Sequence, residues 1–271
     1  MVDLGKRAIR RFPGKLPAYR WRLALLRAPR LPGLVRFEAS EAARALESWG
    51  RRPVASVAAI IPTYRRPEEV VTAVESVLGQ TWRDLVVVVV DDGGGLPPLP
   101  QDERLFAYTM TRNCAVAGVV RNVGIRASAS RYLAFLDDDN VWLPEHLEVA
   151  MARHATGAQL TYSGLERVLP DGTRKDVLSL PFDRLALRED GFCDTNTLVV
   201  QRGRSVRFSR VPIRHGEFPL EDWEMVYRLS RRVRTEHIPQ VTVRYLVHDR
   251  SFFTDWEAAG REEAKRSRRQ G

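Results

Sequence analysis

VAAIIPTYRRPEEVVTAVESVLGQTWRDLVVVVVDD, residues 57–92, decides the fold class of this chain. Val57 to Ile61 is an apolar run halted by Pro62, and Thr63-Tyr64-Arg65-Arg66 follows as a polar loop. Pro67 suits a first helical turn, where a backbone N–H has no partner anyway, and Glu68 and Glu69 sit where the helix dipole favours acids. Val70, Val71, Val74, Val77 and Leu78 recur at helical spacing, and Gly79 closes the helix. Leu85 to Val90 is then six apolar residues in a row, five of them valine. A strand this apolar is buried on both faces, which calls for a parallel sheet covered by helices. The unit reads β-α-β with a right-handed crossover, the start of a doubly wound α/β sheet. It ends in Asp91-Asp92-Gly93-Gly94-Gly95.

Downstream, Leu96 to Glu103 is a Pro-rich loop, Leu105 to Met110 a third strand, and Ala115 to Ser128 a loop and helix. The strand Tyr132 to Leu136 runs into Asp137, Asp138 and Asp139, and Asn140, Trp142 and Pro144 lead to a helix over Glu145 to Ala155. Adjacent carboxylates repel one another and are costly at a strand end unless a cation sits there. Taken alone, the cluster reads equally as a divalent-metal site or as a solvated acidic turn. Topology favours the site. Three strand ends, at Thr63-Tyr64, Asp91-Asp92 and Asp137-Asp139, share one edge, and open α/β sheets bind ligands beyond the carboxyl ends of their strands. In the second half, Gln159 to Leu165 and Glu166 to Leu169 read as strands before an Asp171-Gly172 turn. Cys193 to Val200 reads as a strand with Thr195, Asn196 and Thr197 inside it. Glu221-Asp222 leads a helix carrying Trp223, Val226, Tyr227 and Leu229. Ile238 to Val247 reads as a last strand, Pro239 at its start, running to His248.

Upstream, residues 1–52 hold 13 Lys or Arg against 4 Asp or Glu, whereas residues 53–271 hold 30 of each. The overall charge of +9 therefore belongs to the N-terminal segment. A nucleic-acid partner for the main domain does not follow from charge. Ser40 is expected to cap a helix carrying Ala42, Ala45, Leu46 and Trp49, ended by Gly50. A shorter helix is expected over Tyr19 to Arg27. The segment reads either as a basic arm for peripheral membrane contact or as an extension packed on the main domain. The cysteines, Cys114 and Cys193, lack CxxC spacing, which excludes a disulfide framework and a thiolate zinc site. No apolar run approaches the ~20 residues of a membrane span, and the N-terminus has no apolar core typical of a signal peptide. A cytoplasmic location, including the inner face of the membrane, is expected.

The order of these pieces resembles the family-2 glycosyltransferases over about residues 55–250. The residues that carry the resemblance are Ile60-Ile61-Pro62-Thr63-Tyr64-Arg65-Arg66, Val90-Asp91-Asp92-Gly93, Val120-Arg121-Asn122-Val123-Gly124, Phe135-Leu136-Asp137-Asp138-Asp139 and Leu220-Glu221-Asp222-Trp223. The resemblance implies the GT-A fold: a Rossmann-like, mostly parallel central sheet flanked by helices, with a small additional β region and an N-terminal helical extension. The implied division is a basic extension at 1–52, a transferase domain at 53–252 and a charged tail at 253–271. Within the domain, 53–140 is the nucleotide-sugar half and 141–252 the acceptor half. The resemblance further implies transfer, with inversion, from a nucleotide-sugar donor, UDP-sugar favoured, to a glycan, lipid-linked or small-molecule hydroxyl. Pro62, Thr63, Tyr64, Arg66, Asp92 and Arg121 would line the nucleotide pocket. Asp137 and Asp138 would face the donor in a DxD-type motif, with Asp139 and His248 holding Mg²⁺ or Mn²⁺. Either Asp138 or Asp139 can be the main ligand, because Asn140 stands where another acid is usual. Asp222 would be the catalytic base. Val120 and the Gly93-Gly94-Gly95 run depart from the family pattern and leave the donor base open. Two other readings are a nucleotidyltransferase, which the absence of a Gly-rich triphosphate loop disfavours, and a non-catalytic membrane- or polyanion-binding protein.

Overall fold

The computed structural model describes residues 21, 24–25, 27–188, 191–211 and 221–248, without the side chains of Glu221 and Asp222. The first four strands are β1 (Val57–Thr63), β2 (Leu85–Asp91), β3 (Leu105–Thr109) and β4 (Tyr132–Phe135). They lie in the order β3-β2-β1-β4, all parallel. The sheet continues through β8 (Leu198–Gln201), β6 (Leu160–Val168), β9 (Thr235–Leu246) and β5 (Asn140–Trp142), while β7 (Arg174–Leu178) pairs with β6.

Successive side chains of a strand point to opposite faces, and here both faces are covered. Ala58, Ile60, Val86, Val88 and Val90 join one core cluster; Val57, Ala59, Ile61, Val87 and Val89 join the other. Each fully buried valine contributes roughly 1.5–3 kcal/mol. Helices α1 (Leu31–Trp49), α3 (Ala117–Ala127) and α5 (Glu221–Leu229) send Ala42, Val120, Val123, Met225 and Val226 into the first cluster. Helices α2 (Pro67–Leu78) and α4 (His146–Ala155) send Val74, Val77, Leu147 and Ala150 into the second. The result is an α/β fold of the GT-A kind, with four adjacent parallel strands in the N-terminal half as the valine run requires; in the second half β6 and β9 also pair in parallel.

Several sequence expectations need correction. Ser40 does not cap a helix: α1 runs through it, and its Oγ bonds back to the Phe37 carbonyl at 2.8 Å. Gly50, at φ +62°, does end the helix. The two strands expected at Gln159–Leu165 and Glu166–Leu169 are one strand, β6, and the Asp171-Gly172 turn leads into β7. The strand expected from Cys193 begins only at Leu198, because Asp194 accepts a 2.8 Å bond from the Asn196 N–H and winds Thr195–Thr197 into a 3-10 turn. Pro239 lies inside β9, not at its start. The β6–β9 register jumps there, from Ser163 opposite Ile238 to Gly164 opposite Val241. A bulge accommodates a residue that cannot donate to the ladder. The short strand β5 is an additional element. The helix expected over Tyr19 to Arg27 falls largely outside the described residues.

Candidate active site

Strands β2, β1 and β4 are adjacent and parallel, so their carboxyl ends open on the same edge. Asp137, Asp138 and Asp139 leave β4 there. Two arginines from other elements reach them. Arg66, just before α2, donates through Nη1 to Asp138 Oδ1 at 2.8 Å and to Asp139 Oδ2 at 2.5 Å. Arg121, on α3 and nearly buried, donates through Nη2 to Asp137 Oδ1, its guanidinium 5.0 Å from the Phe208 ring centre. Three acids thus face two fixed cations.

Electrostatics distinguishes the acids. Asp138 is buried, and burial pushes its carboxyl up to about 6; Arg66 and a bond from Thr63 oppose the rise, while Asp139 and Asp137 add to it. Burial works against the Arg66 cation, but Asp138 and Asp139 outweigh it and raise its pKa. Asp139 lies further out. Its Oδ2 is 3.1 Å from His248 Nε2, and its Oδ1 accepts from Asn140 Nδ2 at 2.9 Å. Asn140 in turn accepts from the Leu246 N–H at 3.0 Å, so the end of β9 is tied to the acidic turn.

The neighbouring loop is built on Asp91 and Asp92. Asp91 is fully buried and accepts from the Gly95 N–H at 2.7 Å. Asp92 accepts from the N–H groups of Cys114 and Ala115 at 2.8 and 2.9 Å. Burial raises its pKa, and those bonds hold it down in part. Both Asp92 oxygens therefore fix the 113–115 loop, leaving only their second lone pairs for a base N–H. Gly93 has φ +77°, and a Cβ there would stand 2.6 Å from the Arg112 and Asn113 backbone. Tyr64 is 39% exposed at the mouth, beside Gly94 and under the Arg65 guanidinium at 5.2 Å. Pro62 is half-buried in β1, opposite Val90.

The structure thus brings Thr63, Arg66, Arg121, Asp137, Asp138, Asp139 and His248 together, with Tyr64 and Asp92 on the flanking loops. Asp222 is the second residue of α5; its side chain lies outside the described residues. Trp223 is buried and donates to the Leu187 carbonyl, so it packs in the core. His146, His154 and His237 lie away from the acids, and His215 is outside the described residues.

Asn196 was missed by sequence reasoning. Its Oδ1 accepts from the Asp137 N–H at 2.6 Å, its Nδ2 lies 3.3 Å from Asp137 Oδ2, and Asp194 anchors it at 2.6 Å. The available signal was four polar residues, Asp194 to Thr197, in an otherwise apolar stretch. Glu38 was missed as well. It is fully buried on α1 and accepts from Arg126, Arg210 and, at 3.0 Å, Asn122 Nδ2. It therefore holds the residue next to Arg121.

The residues suit a hard divalent cation, since Asp139 and His248 supply one oxygen and one nitrogen donor and Asp138 lies alongside. Among the described residues no three His, Cys, Asp or Glu side chains close around one ion.

Known proteins resemble this chain in sequence and in fold. A family model described as Glycosyl transferase family 2 matches residues 58–207. The succinoglycan biosynthesis protein ExoO of Rhizobium meliloti is 34% identical over 125 residues, covering 44% of this chain and 36% of that protein. The chain spans between 15% and 36% of the length of the first curated relatives it matches. The solved structure of S. aureus TarS 1-349 in complex with UDP-GlcNAc superposes with TM-score 0.56 at 15% identity, covering 73% of this chain and 60% of that one. The mannosyltransferase PcManGT of Pyrobaculum calidifontis, in complex with GDP-Man and Mn²⁺, superposes with TM-score 0.52 at 14% identity, covering 86% and 71%. At these identities the two structures share the fold. The family model covers more than half of the chain, and the match falls on the strands and acids that build the site: this chain belongs to glycosyl transferase family 2.

Proposed function

We propose that this chain transfers a sugar from a nucleoside-diphosphate donor, a UDP-sugar by preference, to an acceptor hydroxyl with inversion at the anomeric carbon. One observation carries the reading: Arg66, Arg121 and three carboxylates meet at the carboxyl edge of three parallel strands. Thr63, Tyr64 and Asp92 take the nucleoside, Asp137 the ribose side, and Arg121 and Arg66 the diphosphate. Asp139 and His248 would hold Mg²⁺ or Mn²⁺, and the charge of that cation would neutralise the diphosphate leaving group. The Mn²⁺ complex of the mannosyltransferase and the UDP-GlcNAc complex of TarS support this assignment by analogy. Asp222, at the start of α5, accepts the proton of the acceptor hydroxyl as its oxygen bonds to the anomeric carbon and the carbon–diphosphate bond breaks. Residues 53–140 serve the donor and 141–252 the acceptor. The role of ExoO in succinoglycan biosynthesis favours a glycan acceptor, lipid-linked or free. Among the described residues no helix is long and apolar enough to cross a membrane. Residues 1–52 are the candidate for a peripheral contact at the inner face.

A panel of nucleotide sugars with Mn²⁺, read by nucleoside diphosphate release, tests the reading. Asp139→Ala and Asp222→Asn are each expected to lower turnover by at least about 100-fold. Full activity in either variant removes that residue from its role.

A further inference from the structure

A second concavity lies on the other edge of the sheet. Strand β8 runs antiparallel to β4, with Gln201 beside Tyr132. The loop leaving β8 therefore sits at the start of β4, whereas Asp137 to Asp139 lie beyond its end, roughly 15 Å along the strand. This loop and the end of α5 enclose a cleft of about 420 Å³. Five arginines line it: Arg202, Arg204, Arg228, Arg231 and Arg232. Its floor is apolar, with Val206 and Leu229 buried and Val233 half-buried.

Two of the arginines have structural partners. Arg202 donates to the Ile125 carbonyl at 2.7 Å, Ser128 Oγ at 2.8 Å and the Ser130 carbonyl at 2.5 Å, closing the C-terminal end of α3. Arg228 pairs with Glu224 at 2.9 Å and donates to the Ser205 and Arg207 carbonyls. These bonds hold the 202–207 loop in place. The other three, Arg204, Arg231 and Arg232, are exposed and have no ion-pair partner among the described residues. Arg202 has neutral partners only, and its pKa is lowered by burial and by the nearby Arg52 cation. The cleft thus concentrates positive charge that the described chain does not balance.

We propose that this cleft binds a small molecule carrying a di- or triphosphate group. Guanidinium groups stay charged and match phosphate oxygens two at a time. The volume falls within the range of small-molecule sites, and the apolar floor suits an organic moiety beside the phosphates. A long polyanion would call for a continuous basic stripe, not a cup. The site is separate from the acidic edge and does not depend on the transferase reading.

Inorganic tripolyphosphate is the probe, titrated calorimetrically into the full chain at physiological ionic strength. We expect saturable binding with a component that weakens at least about tenfold in the Arg231→Ala/Arg232→Ala double variant and in Arg204→Glu. Arg174→Ala, an exposed arginine on β7 away from both sites, is expected to leave this component unchanged. Arg204, Arg231 and Arg232 are exposed, and Arg204→Glu alone decides the matter if the double variant fails to fold. Undiminished binding in Arg204→Glu, or loss only in Arg121→Ala at the opposite edge, overturns the proposal. So does a preference of these arginines for anionic vesicles or an oligonucleotide over tripolyphosphate.

Discussion

At the scale of single residues, the site depends on how each carboxylate is held. Arg66 and His248 meet the same oxygen of Asp139, so a cation bound there must share or displace the Arg66 contact. Asn196 holds Asp137 through its backbone N–H and carboxylate together. Asn196→Ala removes those bonds and leaves Asp194 short of one donor, since the backbone N–H of residue 196 still reaches it. It is expected to cost about 1–3 kcal/mol in denaturant unfolding and to weaken nucleoside diphosphate binding in titration. His146 provides a pH signature. Its ring is buried and stacked on Trp142 at 4.4 Å, and Nδ1 is 2.7 Å from Thr242 Oγ1. Because Thr242 Oγ1 donates onward to Ser163, it must accept from Nδ1–H, which leaves Nε2 as a buried lone pair without a partner. Protonating Nε2 would create a buried, unbonded N–H, and burial lowers the pKa from 6.5 to about 3. Between those values the unfolded chain binds the extra proton, so stability rises with pH through that window and is lost as pH falls. Unfolding at pH 4.5 and 7 should differ by on the order of 2 kcal/mol from this group, and His146→Gln should remove that part of the slope.

At the scale of elements, α3 and α1 decide how well Arg121 is aimed. Gly124 lets α3 lie against β1: a Cβ there would stand 2.7 Å from Ile60 Cγ2. Gly124→Ala is expected to cost about 1–3 kcal/mol by overpacking, with Ile60→Val restoring part of it; thermal melts of the single and double variants check this. Glu38 on α1 sits between Arg126 and Arg210 and also binds Asn122. Glu38→Ala leaves two guanidiniums facing each other without their acid. A loss of roughly 3 kcal/mol is expected, discounted from the fully buried case because Arg126 is 45% exposed. Nucleoside diphosphate affinity should fall along with stability, since α1 steadies the helix that carries Arg121.

At the scale of the whole molecule, part of the basic N-terminal segment is packed into the domain. From Leu31 onward it is α1, with Glu38, Glu41, Ala42 and Ala45 buried against α3 and β3 and Trp49 Nε1 bonded to the Ala107 carbonyl at 2.8 Å. Removing residues 1–25 is expected to leave the melting temperature within a few degrees of the full chain. Removing residues 1–52 should lower it by roughly 10 °C or more, as followed by circular dichroism. Membrane docking through the arm is therefore best tested with the shorter deletion. By itself, the sequence determined the β-α-β start, the parallel sheet and the edge shared by one polar and two acidic strand ends. Those rest on local patterns: valines on consecutive positions, Pro67 and Glu68 at a helix start, acids directly after a strand. Tertiary structure alone decided that Pro239 sits in a bulge and that Glu38 and Asn196 support Arg121 and Asp137. It also placed five arginines around one cleft. Each of these depends on groups tens of residues apart meeting in space, and a carboxylate or amide becomes a strut only when a distant partner satisfies it away from water.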